Sequence, residues 1–110
     1  MLGLIGIACR AGRTAVGADA VRAAGRKGTL GALVVARDAS DRARRRLGET
    51  GRAVPTASVG TRETLGRSVG RPVAALVGIT DRELARRIVA VATERADGQD
   101  GTERPEEFRR

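Results

Sequence analysis

Ala32-Leu33-Val34-Val35-Ala36-Arg37-Asp38-Ala39-Ser40-Asp41 is the stretch whose reading decides the fold. Its first five residues form a continuous apolar run with two β-branched valines, opened by Gly31 and closed by the charges of Arg37 and Asp38. So short an apolar run, without polar alternation, reads as a strand buried on both faces. A strand of that kind needs helices on both sides. Ser40 supplies a hydroxyl that can cap a helix over residues 41–47. That helix carries Arg42, Arg44, Arg45 and Arg46, and Gly48 and Gly51 punctuate its end.

Upstream, Leu2, Ile5 and Cys9 recur at helical spacing, and Leu4, Ile7 and Ala8 widen the apolar face. This predicts a mostly buried first helix ending near Gly12. Thr14-Ala15-Val16 is a short extended candidate. Gly17 then opens a second helix that runs to Lys27, with Gly28 as its stop. Asp19, in its first turn, suits the positive end of the helix dipole.

Downstream, residues 54–59 (Val-Pro-Thr-Ala-Ser-Val) read as a strand, which Pro55 assigns to a sheet edge or to the strand's start. Thr61 can cap a short helix over 62–68. After Gly70-Arg71-Pro72, residues 73–79 form a further apolar strand. Thr80-Asp81-Arg82-Glu83 has capping-box spacing, with Thr80 as the cap. Leu84, Ile88 and Val91 carry the apolar stripe of the last helix. Helices and strands alternate almost throughout, which predicts an α/β sandwich with helices on both faces of a partly parallel sheet.

The chain has 110 residues, enough for one core. With one Phe and no Trp or Tyr, that core must be aliphatic. We expect one domain over residues 1–95 and a disordered charged tail over 96–110, where five carboxylates, three arginines, two glycines and a proline leave little to bury. No apolar run reaches the roughly 18 residues of a membrane span, and the start lacks the features of a signal peptide, so the expected compartment is the cytoplasm.

The residue inventory excludes several chemistries. A single cysteine makes no internal disulfide. The absence of histidine removes Ser-His-Asp catalysis and argues against zinc. Cys9 lies on the apolar face of the first helix and reads as a small buried thiol. Asp38 with Asp41, and Asp81 with Glu83, pair carboxylates near strand ends, but helix capping and first-turn placement account for them. The glycines match neither a phosphate-binding loop nor a dinucleotide fingerprint. No catalytic residue, metal or cofactor is expected.

What remains is charge. Lys27 and 20 arginines against 13 carboxylates give a net +8, the surface expected of a protein that meets nucleic acid. No aromatic residue interleaves with the basic ones, so base stacking on an aromatic platform is excluded. Arginine forks, helix ends and backbone amides favour a folded RNA read by shape.

Four segments together resemble a known family. They are Gly17-Ala18-Asp19-Ala20-Val21 opening a helix that ends Arg26-Lys27-Gly28; Leu33-Val34-Val35-Ala36 followed by Arg37-Asp38-Ala39-Ser40; Val54-Pro55 with Thr61-Arg62-Glu63-Thr64-Leu65-Gly66; and Gly70-Arg71-Pro72-Val73-Ala74-Ala75-Leu76-Val77. The family is that of the kink-turn-binding ribosomal proteins, relatives of archaeal ribosomal protein L-seven-Ae and eukaryotic ribosomal protein L-thirty-e. The start, residues 4–12, and Thr80-Asp81 are similar to the bacterial YlxQ group. The resemblance spans about residues 2–92. It implies a three-layer α/β/α sandwich with a four-stranded mixed sheet.

It further implies binding of sharply bent RNA through the start of the second helix and the loop before the last strand. By position, Gly17 matches the helix-opening glycine, Lys27 a basic position at that helix's end, and residues 70–75 the second RNA-facing loop. The residues expected at the RNA are thus Arg13, Gly17, Ala18, Asp19, Arg22, Lys27, Arg37, Gly70, Arg71, Pro72, Val73 and Ala74. Arg13, Arg22 and Arg37 enter as phosphate contacts. The chain departs from the family pattern at Asp19, where kink-turn binders carry Asn, at Ala20, where they carry Glu, and at Ala23, where they carry Lys. Losing two polar base contacts removes roughly 1–3 kcal/mol each.

The expected function is therefore a monomeric, non-enzymatic RNA-binding protein associated with the ribosome or translation, without DNA specificity. The alternative is a protein-interaction or regulatory module that keeps the fold and has lost specific kink-turn binding.

Overall fold

Two residue sets on opposite faces of β2 (Ala32–Val35) organise the molecule. In a computed structural model that describes residues 1–48 and 50–98, all four β2 residues are buried. Ala32 and Val34 join one apolar cluster, and Leu33 and Val35 a second. The alternation is that of a strand covered on both sides.

The sheet has the order β1-β4-β2-β3, with β1 (Thr14–Val16), β3 (Thr56–Ser58) and β4 (Leu76–Ile79) completing it. β4 runs antiparallel to both β1 and β2, and β3 lies parallel to β2, so the sheet is mixed. Pro55 precedes edge strand β3, and its carbonyl accepts from the Leu33 N–H at 2.9 Å.

On the larger cluster's face lie α1 (Leu2–Arg10), α5 (Arg62–Ser68) and α6 (Arg82–Gly98), contributing Ile5, Ala8, Leu65, Ala85 and Ile88 against Val34, Val77 and Ile79. On the other lie α2 (Ala18–Lys27) and the short α3 (Asp41–Arg45) and α4 (Thr50–Ala53); Val21 meets Leu33, Val35 and Leu76 there. The expected α/β/α sandwich with a four-stranded mixed sheet is the fold observed. Among the described residues no helix is long and apolar enough to cross a membrane.

Helix ends follow local chemistry. Gly17, at φ +93°, is the N-cap of α2, and Gly28 ends it in the left-handed conformation. The Ser40 hydroxyl accepts from the Ala43 N–H at 3.1 Å. Thr61 and Thr64 cap α5 reciprocally, each side chain accepting the other's backbone N–H at 2.8–3.2 Å.

Six expectations are corrected. The cap of α6 is Asp81, whose Oδ1 accepts from the Leu84 N–H at 3.0 Å; Thr80 stays beside β1, its N–H donating to the Arg13 carbonyl at 2.9 Å. Residues 73–75 are loop, because β1 and β2 end before they can pair with it. Ile7 is 47% exposed. Cys9 is half-buried rather than buried. α4 arises where only a glycine-punctuated helix end was expected. α6 remains helical through Gly98, past the expected start of the tail; residues 99–110 of that tail lie outside the described residues.

The capping assignment has a direct test. Asp81→Ala is expected to lower stability by about 1 kcal/mol, whereas Thr80→Val should change it by a few tenths. Urea midpoints of the two variants separate the alternatives, and equal losses would contradict the assignment.

Candidate functional site

The sheet has two ends, and they are chemically different. At one end stand Leu76, Val16, Val35 and Ser58; at the other stand Ile79, Thr14, Ala32 and Thr56. Four backbone hydrogen bonds stitch together the segments at the Leu76 end. The Gly17 N–H donates to the Leu76 carbonyl at 2.9 Å, Ala36 to Ala75 at 2.9 Å, Arg37 to Gly60 at 2.8 Å and Ala74 to Arg62 at 2.9 Å. The opening of α2, the turn after β2, the start of α5 and the 70–75 loop thus form one continuous surface.

The 70–75 loop rests on Gly66 of α5. A Cβ at Gly66 would stand 2.7 Å from Val73 Cα and 2.8 Å from the Arg71 carbonyl oxygen, so only glycine admits the loop at this distance. The Arg71 N–H donates to the Gly66 carbonyl at 2.8 Å. Gly70, at φ +74°, makes the turn that starts the loop. The result lifts Arg71, Pro72 and Val73 to the surface, and Val73 is 62% exposed, the most exposed large apolar side chain in the described core region. Ala74 points inward and is buried.

Across from the loop, no side chain caps α2. Among the described residues the N–H groups of Ala18, Asp19 and Ala20 have no partner, and they lie at the positive end of the helix dipole. Asp19 does not cap; its Oδ1 accepts from Arg22 Nη2 at 2.7 Å and from Arg46 Nη2 at 3.1 Å. Asp38 accepts from the Arg62 N–H at 2.8 Å and faces Arg62 Nε at 3.5 Å, which gives α5 an additional N-terminal acceptor. Among the described residues Arg37 and Arg71 carry exposed guanidinium groups with neither ion pair nor side-chain hydrogen bond. The site is therefore a shallow surface with uncapped helix N–H donors, two unpaired cations and an exposed apolar loop. It suits an anionic, extended partner.

Of the residues expected from sequence, Gly17, Ala18, Asp19, Arg22, Arg37, Gly70, Arg71, Pro72, Val73 and Ala74 lie at this end. Ala18 and Ala74 are buried and offer only backbone there. Arg13 and Lys27 are at the other end. Arg13 flanks Thr14, which pairs with Ile79. Lys27 closes ten-residue α2, about 15 Å from its opening turn. Three residues of the site are not among those expected at the RNA: Arg46, which belongs to the arginine run of 42–46, and Arg62 and Gly66, which enter only as part of the family resemblance.

No family model and no curated protein matches the chain. Solved structures do. A Bacillus halodurans protein of unknown function superposes with a TM-score of 0.78 at 27% identity, covering 84% of this chain and 96% of its own. A Giardia lamblia 15.5kD RNA-binding protein superposes with a TM-score of 0.65 at 17% identity, covering 84% and 83%. The fold is the L-seven-Ae-like one.

Proposed function

We propose that the protein binds structured RNA, kink-turns included, through the start of α2 and the 70–75 loop, as a non-enzymatic component of the ribosome or of translation. One observation carries this reading: the uncapped α2 amides, the unpaired Arg37 and Arg71, and exposed Val73 converge on one end of the sheet. Phosphate is the group that satisfies helix N–H donors and guanidinium forks together. The RNA-binding Giardia neighbour on the same fold supports it. The Leu4-to-Gly12 start and Thr80-Asp81 support the bacterial YlxQ group as the branch. We take the protein to act as a cytoplasmic monomer without DNA specificity.

Exposed Ala20 and arginine-bound Asp19 offer little for reading G·A base edges, which favours shape and phosphate contacts over base contacts. The test is a titration against a kink-turn RNA at near-physiological salt, beside the same RNA with its tandem G·A pairs made Watson–Crick. Tighter binding to the intact kink-turn, by tenfold or more, is expected. Equal binding would reduce the reading to generic RNA affinity. No binding to either would favour the alternative, a protein-interaction module on this fold.

A further inference from the structure

Asp19 is one of the three departures from the family pattern, and its surroundings give it a role. Its Oδ1 takes N–H donors from two guanidinium groups on different elements: Arg22, one turn along α2, at 2.7 Å, and Arg46, 27 positions away, at 3.1 Å. Arg22 completes a closed arrangement, its Nη1 donating to the Arg46 backbone carbonyl at 3.0 Å. Arg46 is the C-cap of α3. Three side chains and one carbonyl thus fasten the end of α3 to the first turn of α2, in a cluster whose net charge is +1.

All three side chains reach solvent, Asp19 at 77% exposure, so the cluster is not a core feature. A guanidinium has five N–H donors, and only one of Arg46's and two of Arg22's are used here. The remaining donors make no other hydrogen bond among the described residues, and Asp19, which joins the two forks, lies in the first turn of uncapped α2.

We infer that Asp19 is a positioning residue that holds Arg46 next to Arg22, so that the two forks together receive a backbone phosphate of the bound RNA strand. The inference rests on the RNA-binding reading above. It adds Arg46 to the binding surface and carries that surface from α2 onto α3. It also reverses the expected sign of Asp19's contribution. A bare carboxylate near phosphate repels it; a carboxylate that fixes two arginines attracts it. Asp19→Asn raises the net charge from +8 to +9, which by itself strengthens binding to a polyanion. Weaker binding can then arise only from lost arrangement.

The test is a double-mutant cycle of Asp19→Asn and Arg46→Ala, with affinity for a structured RNA measured from about 50 to 200 mM salt. Arg46→Ala is expected to weaken binding severalfold and to lower the salt slope by about one. Asp19→Asn is expected to weaken it about threefold despite the added charge. The double variant should be no weaker than Arg46→Ala alone. Tighter binding by Asp19→Asn, or additive effects, or an unchanged slope for Arg46→Ala, overturns the inference while wild-type binding still stands. Absence of RNA binding by the wild type removes both readings. Exposed positions such as these leave folding intact, and matching thermal midpoints of all variants check it.

Discussion

Alanine at Gly66 is expected to destabilise the protein by about 2 kcal/mol and to unseat the 70–75 loop. Two effects oppose each other. Gly66 lies inside α5, where alanine is worth about 1 kcal/mol more than glycine as a helix former. Against this, the added Cβ meets Val73 Cα at 2.7 Å, with the Arg71 carbonyl oxygen and the Val73 carbonyl carbon at 2.8 Å each. These are backbone atoms, which cannot rotate away as a side-chain tip can. Overpacking of this kind costs up to about 3 kcal/mol, so the clash wins. Gly3 is the control: it is an exposed helical glycine of α1 whose added Cβ meets nothing within 4 Å, and Gly3→Ala should be neutral or stabilising by up to about 1 kcal/mol. Urea unfolding measures both. Amide chemical shifts of residues 70–74 report the loop. A Gly66→Ala protein with wild-type stability and unshifted loop amides would show that the loop does not depend on that contact.

Much of the fold is legible in the sequence because its signals are local. Gly17 and Gly28 bound α2, Ser40 and Thr61 cap the helices that follow them, and the apolar run at residues 32–36 is a two-faced strand. Signals fail where the deciding partner is far away in the chain. Residues 73–75 are as apolar as a strand, but β1 turns into α2 at Gly17, the ladders of β4 end at Val77 and Leu76, and Ala74 and Ala75 bond instead to Arg62 and to the turn after β2. Thr80 and Asp81 are both able to cap; only the Arg13 carbonyl, which engages Thr80's N–H, decides for Asp81. The site divides in the same way. The α2 opening and the 70–75 loop follow from family motifs. Arg13 lies only four positions before Gly17, yet β1 carries the chain about 10 Å between them, from one sheet end to the other. Conversely, Arg46 reaches Asp19 across 27 positions, which no periodicity announces.

Removing Arg37 and Arg71 together is expected to produce the largest loss of RNA affinity that leaves the fold untouched. Both are exposed and, among the described residues, unpaired, so replacing them by alanine should shift stability by no more than about 0.5 kcal/mol. Each phosphate contact contributes a salt slope of about 0.9. Two lost contacts therefore lower the slope by about 1.8, and the gap between wild type and variant should narrow roughly twelvefold between about 50 and 200 mM salt. Arg13→Ala with Lys27→Ala removes the same charge from the other end of the sheet. With a short RNA hairpin confined to the Leu76 end, that pair should leave the slope nearly unchanged. Lysine at both 37 and 71 separates charge from geometry: counterion release is retained, so the slope stays, while loss of the planar fork weakens binding. Equal slopes for the two alanine pairs would mean that charge over the whole surface, rather than the end where α2 opens, holds the RNA.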